Sequence, residues 1–535
     1  MKTPKRIQYA LWVLAWSLSQ SLVLPTSAPA HAADVKLAAT VRQRVHPVLI
    51  RNPHSAILHV ILDVENEPVD VTSFAFRLAG CDDVADLTSV AMFYTGDDDE
   101  FATDAPFGKP QAATEELIIQ GKRALEPGRH VFWLAGNVAD DADLSHQIDA
   151  ECTSVATSAG AVTPIDETPA VRKRIGIALR RHMDQGVHTY RIPALATTND
   201  GTLLCVYDMR RRKSRDLQED IDIGLSRSTD GGRTWAPSQV IMDMGTYGGL
   251  PQEQNGCSDP GIVVDRETGA SFCAAVWMWG KPGKHQWRDD GSEPGFEIGK
   301  SAQFLMVRSS DDGLTWSEPK NMTRTLKREA WVLLAPAPQQ GITLADGTVV
   351  LPSQGRDEQG RPFSCLLYSK NHGDTWTVSE PTDVGNDECQ AVELSDGSVL
   401  LNCRSRAPVK HRSVYVTDDL GATWQEHSTH RGTLIEPNCN GSLCRIDAVV
   451  DGKQQPILLF ANPATQDGRH HHTLRVSFDE GRTWPEDHWL LLDEGLGRGY
   501  PSISPIDDEH VGIVYEGSQA DVVFQRIAIA DLLGR

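Results

Sequence analysis

One eight-residue pattern occurs five times in this chain of 535 residues and constrains its fold more strongly than any other feature. The pattern is Ser/Thr-x-Asp/Asn-x-Gly-x-Thr-Trp, and its copies begin at Ser228, Ser309, Ser369, Thr417 and Ser477. Successive copies start 81, 60, 48 and 60 residues apart. Repeats at such spacing indicate supersecondary units that stack on one another, because one unit alone cannot bury its apolar face.

Each copy is typical of a turn between two antiparallel strands. Its Asp or Asn side chain is expected to accept a hydrogen bond from the backbone two residues on, and its Gly is expected to adopt positive φ. The Thr-Trp pair then begins a strand with a large ring to pack. A calcium loop is the alternative, but each copy has too few carboxylates and lacks a bidentate glutamate at the loop end. We therefore interpret the copies as structural turns.

The repeat, without helical periodicity, predicts an all-β fold with a six-bladed β-propeller over residues 166–535. Five turns mark five blades. The sixth blade is predicted between Tyr500 and Asp531, closed by a strand from near Ile175 to Leu179. Such closure removes exposed sheet edges.

Residues 33–165 have a different character, since they alternate apolar and polar residues between turn signals without any copy of the repeat. Alternation with period two predicts half-buried strands. We expect a separate N-terminal β-sandwich. Carbohydrate binding and a simple packing role are both compatible with its sequence.

Residues 1–32 are typical of a secretory signal peptide. Lys2, Lys5 and Arg6 precede an apolar stretch, and Ala30-His31-Ala32 supplies a small-x-small cleavage site. A membrane anchor is the alternative, but serines and a glutamine interrupt the apolar run before it reaches about 20 residues. We expect export to the periplasm or the medium, and no membrane span after the signal.

The formal net charge of -22 argues against binding to nucleic acid or to an anionic membrane. An anionic ligand would have to be bound by a local cluster of cations. Export permits disulfides among the ten cysteines. Cys439 and Cys444, on either side of an Asn-Gly turn, are the expected pair, and the others are expected to be small buried residues.

The stretch TYRIPALATT at residues 189–198 places an arginine directly before an Ile-Pro pair. A residue before proline favours extended geometry, so a strand is expected here. Arg191-Ile192-Pro193 followed by the five repeats resembles the bacterial and animal exo-α-sialidases (neuraminidases), in which these features are the RIP motif and the Asp boxes. The resemblance covers about residues 175–535. It implies an enzyme that removes terminal sialic acids from glycoproteins, glycolipids or other sialylated glycans.

Sialic acid carries a carboxylate on its anomeric carbon, and guanidinium groups bind carboxylates through charge-assisted hydrogen bonds. By resemblance, the arginines that would bind this carboxylate are Arg191, Arg404 and Arg469. Arg406 competes with Arg404 for its family position, and Arg475 competes with Arg469.

The resemblance also implies three catalytic residues: Tyr500 as the nucleophile, Glu388 as the group that accepts the phenolic proton, and Asp216 as the acid/base. A neutral phenol suits a carbon that already bears a carboxylate, because a carboxylate nucleophile would be repelled. Tyrosine needs a base, since its ordinary pKa is about 10. The rivals of Asp216 by residue type are Glu219, Asp220 and Asp222.

Two more residues resemble family sugar contacts. Arg210 would contact the 4-hydroxyl, and Asp259 would lie beside the N-acetyl and 4-hydroxyl region. Three tryptophans could line a pocket for the acyl group or pack in the core: Trp277, Trp279 and Trp287.

The run from His470 to His472 raises the question of a metal site. Strand alternation would send the middle histidine to the opposite face, and no paired carboxylate or cysteine is near in sequence. We interpret these histidines as rim or packing residues and expect neither a metal nor a cofactor.

The predicted reaction is hydrolysis with retention through a tyrosyl-enzyme intermediate. A propeller that binds sialic acid or a protein without catalysis is one alternative, because the boxes alone are structural. A trans-sialidase, which transfers the sugar to another acceptor or forms an intramolecular product, is the other.

Overall fold

The computed structural model describes residues 36–279, Trp287 and residues 291–534, and the predicted signal peptide lies outside them. A β-sandwich precedes a ring of β-sheets, which confirms the predicted all-β fold class.

The N-terminal region contains two sheets that pack face to face. The larger sheet has the strand order Ile165–Asp166, Leu37–Arg42, Ser55–Val64, Gly128–Val138, Leu87–Gly96 and Pro106–Gln111. The smaller sheet has the strand order Gly160–Val162, Glu151–Thr157, Val69–Arg77 and Glu116–Leu125. Alternate residues of both sheets meet in one apolar core, where the ring centroids of Phe74 and Phe132 are 4.9 Å apart.

Six more sheets form the propeller, and we number them blades I to VI in chain order. Blade I contains Thr189–Thr197, Leu203–Arg210, Ile221–Ser228 and Gln239–Met242. Blade II contains Cys257–Val264, Ser271–Trp277, Gln303–Ser309, Lys320–Asn321 and Gln339–Gln340. Blade III contains Leu333–Pro336, Ile342–Thr343, Val349–Arg356, Pro362–Ser369 and Thr377–Val378.

The remaining blades follow the same plan. Blade IV contains Asn386–Glu393, Val399–Ser405, Ser413–Thr417 and Gln425–Glu426. Blade V contains Ser442–Val450, Lys453–Pro463, His472–Ser477 and Trp489–Asp493. Blade VI contains Gly499–Pro505, His510–Glu516, Val522–Ala528 and Lys173–Arg180. Neighbouring blades contact one another through their inner strands, and blade VI contacts blade I, which closes the ring.

Blade VI joins the two ends of the repeat region. Lys173–Arg180 pairs antiparallel with Val522–Ala528, so that Ile177 lies opposite Phe524. The closing strand predicted from the sequence is therefore present.

The sandwich region adds two short strands to this blade, and one of them, Gln147–Ile148, pairs antiparallel with Lys173–Arg180. Val48–Ile50 pairs in parallel with Lys173–Arg180. The next residue, Arg51, donates from Nη1 to the carbonyl oxygens of Ala178 and Leu179, both at 2.8 Å. The sandwich predicted as separate thus covers the outer edge of the blade that closes the ring.

The Asp boxes form the turns that lead into the outer strands of blades I to V, which begin at Gln239, Lys320, Thr377, Gln425 and Trp489. In the first box, Asp230 accepts hydrogen bonds from Ser228 Oγ at 2.8 Å, Thr234 N at 2.9 Å and Thr234 Oγ1 at 2.6 Å. The backbone bond comes from four residues on, not two as predicted, because the amide of Gly232 donates to Ser228 Oγ instead. Gly232 has φ +88°, as expected. The carboxylate is engaged within the turn, which agrees with a structural role.

All ten cysteines are free, so the predicted Cys439–Cys444 disulfide is wrong. Cys439 packs against Ile192 and Tyr500 near the centre of the ring. Cys444 lies on the strand Ser442–Val450 and packs in a different cluster, between blades V and VI. The turn between the two thiols directs them into separate parts of the core.

Helices are few and short. The α-helices are Thr323–Leu326 and Ile529–Leu532, and the 3-10 helices are Val84–Asp86, Asp184–Gly186, Tyr247–Gly249, Gln252–Gln254 and Glu486–His488. In the described ranges, none of the helices has the length and apolar character needed to cross a bilayer.

Candidate active site

Three inner strands contain, within their first four residues, a non-glycine residue at positive φ that is followed by proline. The φ values are +55° at Ile192, +60° at Asp259 and +35° at Tyr500, and each residue lies at a register shift of its strand pair. Ile192 thus departs from the extended geometry expected before proline, although the strand Thr189–Thr197 forms as predicted. Bulges and strained backbone of this kind re-aim side chains at functional sites.

A cavity of about 420 Å³ opens where these strand ends meet. Its lining includes Arg191, Asp216, Asp259, Trp287, Gln354, Arg356, Asp387, Glu388, Arg404, Arg406, Arg469 and Tyr500. The structure therefore brings together seven of the eight predicted site residues. The eighth, Arg210, is fully buried behind the cavity.

Tyr500 lies at the centre of this group. Its hydroxyl donates to Glu388 Oε1 at 2.5 Å and accepts from Arg404 Nη1 at 3.0 Å. Arg404 Nη1 also donates to Glu388 Oε2 at 2.6 Å. Burial, followed by the charge of Glu388, raises the pKa of Tyr500 well above its ordinary value. The phenol is therefore neutral at neutral pH, with a carboxylate in position to accept its proton.

The three predicted arginines surround the phenol ring. The Cζ atoms of Arg191 and Arg469 lie 5.4 Å and 5.5 Å from the ring centroid of Tyr500, and Arg404 contacts its hydroxyl. Three guanidinium groups from blades I, IV and V thus face one small volume, which is an arrangement suited to an anionic ligand.

Arg191 is held rigidly by a residue of blade VI. Its Nε and Nη2 donate to the two carboxylate oxygens of Glu516 at 2.9 Å and 3.0 Å. Glu516 Oε1 also accepts from the backbone N of Ile192 at 2.7 Å. Burial alone would lower the pKa of Arg191, but Glu516, with smaller contributions from Asp216 and Tyr500, raises it above its ordinary value.

Arg469 is held by backbone carbonyl groups. It donates from Nη1 to the carbonyl oxygen of Arg498 at 2.8 Å and from Nη2 to that of Asn438 at 3.4 Å. Its rival Arg475 is buried elsewhere, with its Cζ 4.4 Å from the centroid of the Trp489 ring. The geometry therefore favours Arg469 over Arg475.

Arg404 and Arg406 both reach the cavity, yet only one touches the phenol. Arg406 Nε donates to Asp387 Oδ2 at 2.5 Å, and its side chain is 41% exposed. Arg404 contacts Tyr500 and Glu388 and is nearly buried. The geometry favours Arg404 at the centre and assigns Arg406 to the rim.

Asp216 lies on the loop after the second strand of blade I and is one-third exposed, at 32% of its side chain. One carboxylate oxygen lies 2.6 Å from Arg210 Nη1 and 3.5 Å from Arg191 Nη1. Its rivals form ion pairs or hydrogen bonds outside the cavity: Glu219 with Lys213, Asp222 with Arg211, and Asp220 with Gln252. Among the four acids, Asp216 is the one that lines the cavity.

Comparisons with known proteins agree with this geometry. The model of a BNR repeat-like domain matches residues 201–514, and that of the N-terminal domain of BNR-repeat neuraminidase matches residues 36–160. The chain is 34% identical to a sialidase of Bacteroides fragilis (strain YCH46) over 520 residues, which cover 92% of this chain and 95% of that protein. The chain belongs to the exo-α-sialidase (neuraminidase) family.

Further relatives of this sialidase family differ in how much of the chain they cover. A sialidase of Micromonospora viridifaciens is 35% identical over 344 residues, which are 62% of this chain and 50% of that protein. The solved structure of Hadza microbial sialidase Hz136 superposes with a TM-score of 0.85 at 33% identity, covering 92% of this chain and 99% of that one. The resemblance predicted from the propeller alone is confirmed, and it extends into the sandwich.

The three tryptophans near the sialidase site divide between core and cavity. Trp277 is buried and donates to Asn255 Oδ1 at 2.7 Å, and Trp279 packs against the same apolar cluster. Trp287 lines the cavity, and its carbonyl oxygen accepts a hydrogen bond from Arg356. Only Trp287 is therefore placed to contact a ligand.

The three histidines lie at the end of blade V. His470 and His471 precede the strand His472–Ser477, so strand alternation does not apply to them. His472 is buried, with its ring centroid 5.2 Å from that of Tyr515. In the part of the chain that the structure describes, no group of three His, Cys, Asp or Glu side chains is arranged to hold a metal ion.

Several residues that position the sialidase side chains were missed by sequence reasoning. Asp208, Asp387 and Glu516 orient the arginines, and Asn438 Oδ1 accepts from Arg404 Nε at 2.9 Å. Asp208 and Glu516 each follow an apolar run within a strand, in LLCVYDMR and HVGIVYEG. An acid at the end of a buried strand is a signal that could have found them, because a buried charge requires a partner.

Proposed function

We propose that this protein hydrolyses terminal sialic acids from glycoconjugates, with retention of anomeric configuration, through a tyrosyl-enzyme intermediate. One observation carries the proposal: the Tyr500 hydroxyl is hydrogen-bonded to Glu388 within a ring of three arginines. Few functions other than attack on an anionic sugar require a neutral phenol, a base and converging guanidinium groups together.

The arginines would bind the substrate carboxylate and so place its anomeric carbon beside Tyr500. Positioning of this kind converts an encounter in solution into a step within one complex. Because Glu516 and the backbone carbonyls already orient Arg191 and Arg469, little rearrangement is needed when the ligand binds.

In the first step, the phenolic oxygen of Tyr500 would form a bond to the anomeric carbon as the glycosidic bond breaks. The phenolic proton passes to Glu388, and Asp216 gives a proton to the departing oxygen. In the second step, Asp216 takes a proton from water, the water oxygen replaces the phenol, and Glu388 returns the proton to Tyr500. The partial exposure of Asp216 supports this role, since its proton can exchange with solvent.

Proton NMR of a sialoside during turnover tests the stereochemistry. With retention, the α-anomer of free sialic acid accumulates first and the β-anomer appears later by mutarotation. Early appearance of the β-anomer would contradict a covalent tyrosyl intermediate. Mass spectrometry of the same products distinguishes free sialic acid from a transferred or intramolecular product.

Trapping provides an independent test of the nucleophile. A fluorinated sialic acid that forms a slow-reacting covalent adduct should label a peptide containing Tyr500. Label on Glu388 or Asp216, or no label in a turning-over enzyme, would assign the nucleophile elsewhere.

Export is a second part of the proposal and is supported by the composition of residues 1–32. Edman sequencing of the protein recovered from periplasmic and medium fractions should begin at Ala33. Recovery in the cytoplasm with Met1 intact would contradict it.

A further inference from the structure

The carboxylate of Asp208 is fully buried behind the cavity and surrounded by hydrogen-bond donors. Its Oδ2 accepts from Arg210 Nη2 at 2.9 Å, from Arg210 Nε at 3.2 Å and from Ser258 Oγ at 2.7 Å. Its Oδ1 accepts from the backbone N of Asp259 at 3.1 Å. Burial raises the pKa of Asp208, but Arg210 and Ser258 oppose that shift. Their contacts favour its ionised form, because a proton on its oxygens would face the donors of a guanidinium group.

Ser258 connects this ion to the cavity. Its Oγ lies 2.7 Å from Asp208 Oδ2 and 3.1 Å from Asp259 Oδ1. The Ser258 hydroxyl has one proton, and it donates this proton to the ionised Asp208, which is the nearer of the two carboxyl groups. Ser258 therefore presents a lone pair to Asp259. If Asp259 were ionised, two acceptor oxygens would face each other at 3.1 Å with no proton between them, in a residue that is only 7% exposed.

We propose that Asp259 is a neutral, protonated acid that donates through Ser258 to the ionised Asp208. The proton on Asp259 Oδ1 turns the 3.1 Å contact into a hydrogen bond and completes a chain that ends at Arg210. In agreement, burial first and the charge of Asp208 second raise the pKa of Asp259 well above its ordinary range.

The other charged groups that face Asp259 act in both directions. Glu388 and Asp216, from across the cavity and from the blade I loop, raise its pKa further. Arg210 lowers it, but this guanidinium is already paired with Asp208 and Asp216. The balance leaves the proton on Asp259.

The consequence for the ligand rests on the proposed function. With its proton directed at Ser258, Asp259 keeps Oδ2 as a neutral acceptor in the cavity that it lines. A hydroxyl or amide N–H of the sugar can donate to this oxygen. A neutral acceptor does not repel the carboxylate that the arginines bind, whereas an ionised Asp259 would. Ser258 and Asp208 are thus positioning residues for a specificity contact.

Infrared difference spectroscopy tests the proton without any substrate. At neutral pH, the wild-type spectrum minus that of Asp259→Asn should contain the C=O stretch of one protonated carboxylic acid. Asp396→Asn is the matched control, since Asp396 is exposed on a turn and hydrogen bonds from Ser398 lower its pKa. Its difference spectrum should contain carboxylate bands only. Carboxylate bands alone in the Asp259→Asn spectrum would overturn the proposal, whatever the enzyme's activity.

Ser258→Ala provides a second test if the Asp259 variant fails to fold. This substitution removes the acceptor of the Asp259 proton, so the acid C=O band should move to higher frequency. An unchanged band would contradict the chain. In sialoside assays, Asp259→Asn, which can reproduce the pattern of a neutral acid, should exceed Asp259→Ala in kcat/KM by about tenfold. If both variants lose kcat/KM equally while the acid band is present in the wild type, Asp259 is protonated as proposed. The specificity contact of Asp259 with the sugar is then contradicted.

Discussion

The sandwich and the propeller are both all-β, yet one ion pair taken from each lies in an opposite environment. In the sandwich, the ion pair between Arg77 and Glu151 leaves the two side chains 50% and 54% exposed, and the core is apolar. In the propeller, both side chains of the Arg210–Asp208 pair are fully buried. An exposed pair contributes little to stability, while a buried pair must offset a large desolvation cost.

This difference in burial indicates which region of the protein contains the functional site. Buried ion pairs are weak evidence for stability, because apolar residues of similar size would often serve as well. In the propeller, several of them surround one cavity, and their arginines are positioned before any ligand binds. We interpret the propeller as the region organised around an anionic ligand and the sandwich as the region that completes and covers blade VI.

The largest expected effect comes from Tyr500→Phe. Turnover of an aryl sialoside should fall by at least about 10³-fold, because the proposed nucleophile is lost, while the thermal midpoint changes by only a few degrees. The matched control is Tyr94→Phe in the sandwich, which removes a hydroxyl that is 2.7 Å from His130 Nδ1. Its turnover should match that of the wild type. Comparable losses of turnover in both variants would contradict the assignment of catalysis to the propeller alone.

The next effect concerns the arginines. Arg469→Ala should lower kcat/KM by about 10²- to 10³-fold, since the proposed contact to the substrate carboxylate is lost. Arg469 donates hydrogen bonds to backbone carbonyl oxygens, so its removal leaves no buried carboxylate without a partner. Arg77→Ala in the sandwich is the control, with kcat/KM unchanged. A mild effect of Arg469→Ala, within a few fold, would remove this arginine from the binding site.

Stability should separate the two kinds of ion pair. Glu516→Ala leaves Arg191 buried without its bidentate partner and should lower the free energy of unfolding by about 3 kcal/mol. Glu151→Ala, at the exposed pair of the sandwich, should cost about 0.5 kcal/mol. Urea unfolding of both variants measures the difference. Similar values would show that burial is not what distinguishes the pairs.

The smallest expected effect lies at the junction of the two regions. Lys173 is buried there, and its Nζ donates to the carbonyl oxygen of Arg44 and lies 3.5 Å from His46 Nε2. Burial lowers the pKa of Lys173 to about 7. The unfolded chain keeps this lysine protonated up to a pH of about 10, so the unfolded state binds more protons in between. The free energy of unfolding should therefore rise from pH 7 to pH 10, on the order of 2 kcal/mol.

Lys173→Met should remove that rise in urea unfolding measured across the same pH range. Lys122→Met is the control, because the Lys122 side chain is 74% exposed and its loss should leave the pH dependence as it is in the wild type. If both variants keep the same slope, the junction lysine is not the group that titrates.

Much of the fold could be predicted from the sequence because its signals are local. Each box carries its own turn chemistry: a Gly at positive φ and an Asp or Asn whose bonds are made within eight residues. The pattern therefore survives in the sequence wherever the turn occurs. The family motifs likewise pointed to Arg191 and Tyr500, since Arg191 precedes an Ile-Pro pair and Tyr500 precedes a proline, each near the start of an inner strand.

Contacts between residues that are far apart in the chain could be determined only from the tertiary structure. Whether Arg404 or Arg406 touches the phenol, and whether Arg469 or Arg475 reaches the cavity, depends on how blades IV and V face blade VI. The contact of Ser258 with Asp208 of the neighbouring blade and the strand Val48–Ile50 on blade VI also depend on packing between separate parts of the chain. The conformation of a turn depends on neighbouring residues, whereas the direction of a buried side chain depends on packing against residues that are distant in the sequence.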